Sequence, residues 1–290
     1  MTGPAPQTQP NWDWRAAGNF IGGGAGSGLL ILGGIGALYA PIPLVLVTGL
    51  ALGLVAIGLT LVWLEIGRPW RFMHVFFNPQ TSWMTREALV AVPLFVMGGL
   101  AAWFNDPWLC LGAGGVGFGF LYCQSRILTA AKGIPAWRDL SVVPLIMITG
   151  VTEGAGLLLA VILQAPGNGR WFLILFLFLL VVRLAAWLGY RWRLEAVGAP
   201  AETLKCLTDI SRWFVPLGFA LPVIGASTLL VIEPHALWTA LGSGVLAVAG
   251  GWLLKYRLVT EAAYTQGFAV PLSPVRGQGS AGPGARPGWK

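Results

Sequence analysis

The stretch WLEIGRPWRFMHVFFNPQTSWMTREALV, residues 63–90, joins two strongly apolar segments and concentrates ionisable groups in a chain that otherwise avoids them. Its ionisable and tryptophan side chains are Glu65, Arg68, Arg71, His74, Arg86 and Glu87, with Trp63, Trp70 and Trp83 among them. Carboxylates, arginines and an imidazole beside apolar spans are able to hold a small redox or proton-carrying ligand at a membrane surface. The alternative is an ordinary interfacial loop, charged and anchored by tryptophans, as polytopic membrane proteins commonly have.

Around this stretch the composition is that of a membrane protein. The 290 residues are 56% hydrophobic and only 10% charged, whereas soluble chains carry about 25% charged residues. The mean hydropathy is +0.73. In a soluble protein the net charge of +7 would suggest a nucleic-acid or acidic-lipid partner. Here it is better explained by Lys and Arg retained on the cytoplasmic side of a membrane, and no nucleic-acid partner is expected.

Eight apolar stretches have the length of membrane spans, since each span needs roughly 20 residues to cross the hydrocarbon. They lie at about 16–39, 42–64, 86–104, 107–130, 140–164, 170–193, 212–232 and 236–257. The predicted fold is therefore an all-α bundle of eight transmembrane helices within residues 15–258. Residues 1–14 are predicted to form a disordered or surface-lying tail. Residues 259–290, rich in Gly, Pro and Arg, are predicted to form an extended tail.

The basic residues fall on one side of this topology. The connections near residues 40, 105, 167 and 234 hold only Arg170, and thirteen other cations fall on the opposite side. These are Arg15, Arg68, Arg71, Arg86, Arg126, Lys132, Arg138, Arg191, Arg193, Lys205, Arg212, Lys255 and Arg257. Because positive loops stay in the cytoplasm, both termini are expected there. The N-terminus shows no cleavable signal pattern, so the first span is expected to act as its own insertion signal.

Glycines crowd the first span. Gly22 and Gly26 are four residues apart on one helical face, as are Gly24 and Gly28. This spacing favours close helix–helix packing of the small-xxx-small type. A phosphate-binding loop is disfavoured, because the glycine-rich dinucleotide motif follows a strand, and this segment follows a polar tail.

Haem and protein-held metal centres are disfavoured by the scarcity of ligands. A b-type haem usually needs two axial histidines within the spans, but His74 and His235 fall at opposite membrane faces of the predicted topology. The three cysteines, Cys110, Cys123 and Cys206, have no CxxC spacing and no clustered histidines, so neither a zinc site nor a cysteine-ligated cluster is encoded. If the protein handles electrons, its redox centres belong to a partner.

Two charges are expected within the spans themselves. Glu153 lies in the fifth predicted span and Arg183 in the sixth, at depths that differ by about 3 Å of helix rise. A lone charge at mid-bilayer costs about 2.5–3.5 kcal/mol or more, which favours a Glu153–Arg183 pair or a water-filled cavity. The pair has two interpretations, a structural link between adjacent helices or part of a proton path.

Four segments carry distinctive motifs: LEIGRPWRF after the second span, TSWMTREALV entering the third, YCQSRILTAAKGIPAW after the fourth and TQGFAVPLSPVRG in the C-terminal tail. Together they resemble the membrane-anchor subunits of complex iron–sulfur molybdoenzymes, the dimethyl sulfoxide reductase anchor and NrfD-like family. The resemblance spans the chain. It implies a haem-free subunit of a heterotrimer that binds ubiquinone or menaquinone. A four-cluster ferredoxin-like subunit carrying 4Fe–4S clusters would dock beside the quinone, next to a catalytic subunit with molybdenum or tungsten bis-pterin.

The resemblance also indicates where the quinone would bind. Glu65 stands where the dimethyl sulfoxide reductase anchors have histidine and NrfD-like relatives often have aspartate, and Glu87 matches the carboxylate of the SW-x-x-RE motif. Quinone chemistry exchanges two protons with two electrons, so the site needs proton acceptors and hydrogen-bond donors. The quinone-site candidates are Glu65, Arg68, His74, Trp83, Arg86, Glu87, Tyr122 and Arg126, and the proton-path candidates are Glu153 and Arg183.

The shared side of motifs and basic loops implies that the partner docks from the cytoplasm. This favours relatives such as phenylacetyl-CoA:acceptor oxidoreductases or membrane-bound sulfite dehydrogenases, which would reduce quinone, in a bacterial or archaeal inner membrane. Two other functions stay open. One is a proton or solute transporter lined by Glu153 and Arg183, for which the sequence offers no convincing internal repeat. The other is a purely structural anchor without a quinone site.

Overall fold

The computed structural model describes residues 5–66, 69–165, 169–231 and 236–266. Helices make up 83% of this described part, which contains no strand. The all-α prediction is therefore confirmed. The main helices are α1 (Trp14–Tyr39), α2 (Leu44–Glu65), α3 (Trp83–Phe104), α4 (Pro107–Ala130), α5 (Pro135–Arg138), α6 (Val142–Gln164), α7 (Arg170–Ala196), α8 (Ala201–Val215), α9 (Leu221–Val231) and α10 (Leu237–Thr260). A 3-10 helix, Pro69–Phe76, precedes α3, and a π-helical segment, Pro216–Ala220, joins α8 to α9.

Seven helices of the described part are long and apolar enough to span a membrane. They are Trp14–Tyr39, Leu44–Glu65, Trp83–Phe104, Val142–Gln164, Arg170–Ala196, Ala201–Val231 and Leu237–Thr260. The remaining predicted span, α4, is a helix of 24 residues at the predicted position. It is less apolar because five glycines and the polar residues Gln124, Ser125 and Arg126 lie within it. The protein is thus a multi-pass membrane protein with seven candidate spans in its described part.

The seventh predicted span begins earlier than its hydropathy indicated. The helix starts at Ala201 rather than near residue 212, and its first four turns form an amphipathic segment containing Glu202, Lys205 and Asp209. A hydropathy pattern detects only the part that lies in hydrocarbon, so the polar first half escaped the sequence analysis. At Pro216 the helix widens into the π-helical segment, where an extra residue is accommodated in one turn.

Local sequence fixes the turns between helices. Asp106 caps α4, because its carboxylate accepts hydrogen bonds from the backbone N–H groups of Trp108 (2.7 Å) and Leu109 (3.0 Å). Asn105 ends α3 in the left-handed conformation (φ 50°), which asparagine adopts more readily than most residues. Ser82 caps α3 by accepting from Thr85 N. These caps form the Asn-Asp-Pro turn between α3 and α4 and place the SW-x-x-RE motif at the start of α3.

Helix α1 lies at the centre of the bundle and packs against α2, α4, α6 and α10. Its glycines make this possible. A methyl group at Gly22 or Gly26 would collide with backbone atoms of α2, and one at Gly28 would collide with the backbone of Gly150 in α6. The predicted role of these glycines in close helix packing is confirmed.

The core divides into two apolar clusters along the height of the bundle. In α6, Ile146 belongs to one cluster and Ala155 to the other. In α7, Trp187 belongs to the first and Leu180 to the second. Buried polar side chains fill the level between them. We call Asn19, Glu87, Gln124, Thr149, Thr152, Glu153, Arg183 and Lys255 the polar layer; all are at most 4% exposed.

Candidate functional site

A stack of aromatic and cationic side chains forms where the start of α3 meets the end of α4. The guanidinium carbon of Arg86 lies 4.1 Å from the centroid of the Trp83 ring, and that of Arg126 lies 4.8 Å from it. Tyr122 meets Trp83 edge-on at 5.7 Å, and its hydroxyl accepts a hydrogen bond from Arg126 Nη1 (3.3 Å). The structure therefore brings together four of the predicted site residues, and we call Trp83, Arg86, Tyr122 and Arg126 the tryptophan cluster.

Hydrogen bonds to the preceding loop fix one side of this cluster. Arg86 donates from Nε to the carbonyl of Pro79 and from Nη2 to the carbonyl of Gln80, both at 2.8 Å. Arg126 is held differently, because its Nε is buried without a hydrogen-bond partner. A buried unpaired N–H of a guanidinium is costly, so Arg126 presents a donor that a ligand oxygen or a water molecule can satisfy.

Glu87 lies one helical turn beyond Trp83, on the protein side of the cluster. Its carboxylate is buried, and Oε1 accepts hydrogen bonds from Asn19 Nδ2 (3.2 Å) and Gln124 Nε2 (3.3 Å). Gln124 Nε2 also donates to the backbone carbonyl of Asn19 (2.8 Å). Three helices, α1, α3 and α4, thus hold the SW-x-x-RE carboxylate between two neutral amides. Among the described residues no cation pairs with it, so the carboxylate is suited to taking up and releasing a proton.

Glu65 occupies a separate place at the end of α2. Its Oε1 is buried without a hydrogen-bond partner, and its charge interacts with those of Asp13 and Arg15. Arg15 also bonds the carbonyl of Leu64 (2.9 Å) and forms an ion pair with Asp13 (2.8 Å). The start of α1 therefore covers Glu65, and the described contacts do not join Glu65 to the tryptophan cluster.

The loop between α2 and α3 contributes fewer described side chains to the candidate site than its sequence indicated. His74 lies in the exposed 3-10 helix, where its Nδ1 is 3.1 Å from the carbonyl oxygen of Arg71 and its ring meets Phe77 edge-on. None of the described contacts brings His74 to Glu87 or to the tryptophan cluster. Arg68 and His235 lie outside the described residues.

Glu153 pairs with a different residue from the one predicted. Its Oε2 is 2.6 Å from Lys255 Nζ, and both side chains are fully buried. Lys255 also donates to the carbonyl of Phe20 (2.8 Å). Arg183 interacts with Glu153 only through its charge, because its guanidinium donates to the carbonyls of Ala247 (2.8 Å) and Gly218. The predicted Glu153–Arg183 ion pair is therefore wrong in its partner.

One feature of the sequence indicates a buried Lys255. Lys255 falls within the last predicted span, 236–257, although it is also among the cations predicted on the cytoplasmic side. Two residues further on, Arg257 is on the surface side and pairs with Glu261 (2.6 Å). Helical rotation by two residues turns one cation inward and the other outward. The sequence did not predict Asn19 and Gln124 as partners of Glu87 either. The position of a residue along a span does not show which face of the helix is buried.

Besides Glu65 Oε1 and Arg126 Nε, six buried polar atoms of the described residues have no hydrogen-bond partner. They are Asn19 Oδ1, Ser27 Oγ, Gln124 Oε1, Thr149 Oγ1, Glu153 Oε1 and Arg183 Nε. A methyl group at Gly24 would overlap Lys255 Nζ and lie 3.7 Å from Gln124 Oε1, so the glycine separates these two groups by only a short gap. Buried unpaired groups of this kind are typical sites for ordered water in proteins.

The fold and this arrangement define a multi-pass α-helical membrane protein with an arginine–tryptophan site at one face and charges buried within its helices. The family model described as "Polysulphide reductase, NrfD" matches residues 4–105. The match confirms the resemblance to NrfD-like membrane anchors over the part that contains α1 to α3, and with them Glu65, Trp83, Arg86 and Glu87. A comparison with curated proteins finds no matching relative.

Proposed function

We propose that the protein is the haem-free membrane-anchor subunit of a molybdenum or tungsten oxidoreductase, and that it binds quinone between α3 and α4. The observation that carries this proposal is the tryptophan cluster beside the buried Glu87. It combines a flat aromatic face, an unpaired Arg126 donor and a carboxylate between two neutral amides. The NrfD match over residues 4–105 supports it, because that family name belongs to polysulphide reductase subunits.

The residues of this site fit a quinone. A quinone supplies two-electron, two-proton redox chemistry when it is bound. Trp83 offers a face on which an aromatic ring packs, and Arg126 and Tyr122 offer donors suited to a ring oxygen. Glu87 holds or accepts the proton, with Asn19 and Gln124 fixing its orientation. Glu65 and Arg68 remain candidates for the same ligand from the α2 side, as does His74.

Electrons would pass directly between this site and an iron–sulfur subunit docked on the same face. The proposed topology has eight spans, with α4 as the eighth, and both termini in the cytoplasm of a bacterial or archaeal cell. The 3-10 helix and the residue that follows it present exposed apolar side chains next to the site, namely Trp70, which is 90% exposed, and Phe77, which is 74% exposed. Such a surface suits the docking of a soluble four-cluster subunit and, beyond it, the bis-pterin catalytic subunit. The electron flow we propose is toward quinone.

We propose that protons exchanged at Glu87 also move through the polar layer. We place Glu153 and Arg183 on this route, as the sequence indicated, and add Lys255. Glu87 is only 4% exposed, so its proton does not reach water directly. Gln124 touches Glu87 on one side, and its unpaired Oε1 faces the short gap toward Lys255 and Glu153. Ordered water in this gap would complete a hydrogen-bonded path between the two carboxylates.

Purification of the full chain in mild detergent from its native membrane tests the assignment. Co-purifying iron–sulfur and molybdopterin subunits, together with reduction of decylubiquinone, are expected. Decylubiquinone binding by the complex is measured alongside, with Trp83→Leu as the site variant and Trp238→Leu, which is 82% exposed on α10, as its control. Loss of binding in the first variant only supports the site. Equal binding in both variants would refute it.

The buried charges also support a second candidate function, a proton or solute transporter built on Glu153, Lys255 and Arg183. A transport assay in liposomes distinguishes the two candidate functions. If the isolated chain acidifies or loads vesicles without any partner subunit, the transporter is correct and the anchor is not. If transport is absent and quinone reduction needs the iron–sulfur subunit, the anchor is correct.

A further inference from the structure

A second site lies between the start of α6 and the end of α7, and it shares no residue with the tryptophan cluster. It is a groove of about 790 Å³. The polar rim is formed by Lys132, Arg138, Asp139 and Arg193, and the walls by Pro144, Ala186, Gly189, Tyr190 and Trp192. We call these nine residues the α6–α7 groove.

The rim of the groove carries more positive than negative charge. Three cations, Lys132, Arg138 and Arg193, surround a single carboxylate, Asp139. Burial raises the pKa of the Asp139 carboxyl, but hydrogen bonds from Ser141 and the nearby Arg193 guanidinium outweigh this, and its pKa lies below the usual value. Asp139 is therefore ionised, and it is already engaged by Ser141 (2.6 Å) and Arg193 (3.3 Å).

The two other cations keep free donors. Arg138 uses one nitrogen, Nη1, to donate to the carbonyl of Lys132 (3.3 Å). In the part of the chain that the structure describes, no hydrogen bond or ion pair is formed by the ammonium group of Lys132. Both side chains are exposed at the mouth of the groove. Their remaining donors suit an anion that arrives from outside.

The walls are apolar and reach into the membrane level. Ala186 lies seven residues before Arg193, which is about 10 Å along the helix axis. Gly189 lies between them, and a side chain there would meet only open space. Trp192 is 69% exposed at the rim, in the position that tryptophans favour at a membrane–water interface. The groove thus has a cationic end at the interface and an apolar end beside the hydrocarbon.

We infer that the α6–α7 groove binds an anionic phospholipid, with its phosphate at Lys132 and Arg138 and the upper part of one acyl chain along Pro144, Ala186 and Gly189. A basic pocket between transmembrane helices on the positive side of a membrane protein is suited to such headgroups. The chain's own residues 267–290 are a poor occupant, because they carry Arg276, Arg286 and Lys290 and no acidic side chain. This site is independent of the proposed quinone site.

Gly189→Phe tests the apolar half without removing a charge. The matched control is Gly242→Phe on α10, another exposed helical glycine with open space around its Cβ position. Native mass spectrometry of the full chain in detergent measures the binding of dioleoylphosphatidylglycerol and of dioleoylphosphatidylcholine. We expect the wild type and Gly242→Phe to bind one phosphatidylglycerol in preference to phosphatidylcholine, and Gly189→Phe to bind it at least about tenfold more weakly. Equal binding by both variants would overturn the proposal.

Lys132→Gln with Arg138→Gln tests the polar half and does not depend on the folding of the first variant. Each basic residue beside an anionic lipid contributes about a fivefold preference, so this double variant should lose most of the selectivity for phosphatidylglycerol. Two results would contradict the inference. One is unchanged selectivity in the double variant. The other is full displacement of the lipid by millimolar inorganic phosphate, which would indicate a site for a free anion.

Discussion

The tryptophan cluster and the Glu153–Lys255 pair hold their charges in opposite ways. In the tryptophan cluster two guanidinium groups lie within 4.8 Å of the centroid of one indole ring, and their hydrogen bonds go to loop carbonyls and a tyrosine. In the polar layer a carboxylate and an ammonium group, both with no exposed surface, are 2.6 Å apart. The first arrangement tolerates the arrival and departure of a ligand. The second cannot open without leaving a charge unpaired in the membrane core.

The largest effect is expected from separating the buried pair. Lys255→Met leaves Glu153 without its partner, and removing one member of a buried ion pair typically destabilises by about 3–5 kcal/mol. Thermal unfolding of the full chain in detergent should show a strongly lowered midpoint. In Glu153→Gln/Lys255→Met the neutral amide has no missing counter-ion, and much of the loss should be recovered. Failure of the double variant to exceed Lys255→Met would show that the pair does not stabilise the fold as a unit.

Glu87→Gln should act on turnover and hardly on folding. Glutamine keeps an oxygen that accepts from Asn19 and Gln124 but cannot exchange a proton. Quinone-linked turnover of the complex is expected to fall by about a hundredfold, the usual range for loss of a general acid–base group. The unfolding midpoint should stay close to that of the wild type. Glu65→Gln is the comparison variant from the α2 side, and unchanged turnover in both variants would refute the quinone assignment.

Arg126→Gln should give an intermediate effect at the tryptophan cluster. The variant loses the cation above Trp83 and the unpaired Nε donor, interactions that together are worth roughly 1–2 kcal/mol. An increase of about tenfold in KM for decylubiquinone is expected, with a smaller change in kcat. Arg138→Gln in the α6–α7 groove is the matched control. An equal change in KM in this variant would mean that the loss of any surface cation weakens quinone binding, wherever the cation lies.

The smallest effect is expected at the turn between α3 and α4, which belongs to neither the tryptophan cluster nor the polar layer. Asp106→Ala removes the N-cap of α4 and should cost about 1 kcal/mol of stability. Turnover should be unchanged, which sets the baseline against which the other three variants are compared. A drop in turnover as large as that of Arg126→Gln would mean that small changes in α4 reach the site.

The sequence predicted the helices well, and it named the four residues of the tryptophan cluster as candidates, because both depend on local pattern. Hydropathy located the spans to within a few residues, except the polar first half of the helix that begins at Ala201. Trp83, Arg86, Tyr122 and Arg126 were candidates from motifs, and α3 and α4 are consecutive helices joined by a short capped turn. Antiparallel neighbours of this kind meet where the sequence indicates.

The polar layer was harder to predict because it depends on long-range packing. Lys255 is 102 residues from Glu153 along the chain, and Asn19 is 68 residues from Glu87. Glu153 and Arg183 lie at similar predicted depths in the membrane, and this similarity indicated them as a pair. Depth does not specify which neighbours face one another, and the close approach of α10 to α1 and α6 determines the real pair. The rotation of each helix is fixed only when all are packed.

The glycine surface of α1 has a consequence for how the protein is made. This helix is synthesised before the other described helices, and α2, α4, α6 and α10 all pack against it. Its partner α2 follows at once and covers Gly22 and Gly26, whereas α10 begins about 200 residues later. At ordinary synthesis rates of about 5–20 residues per second, that interval is about 10–40 s. During this interval the Phe20 carbonyl lacks the hydrogen bond that Lys255 donates in the complete bundle. The helices therefore pack around α1 in the order in which they are synthesised.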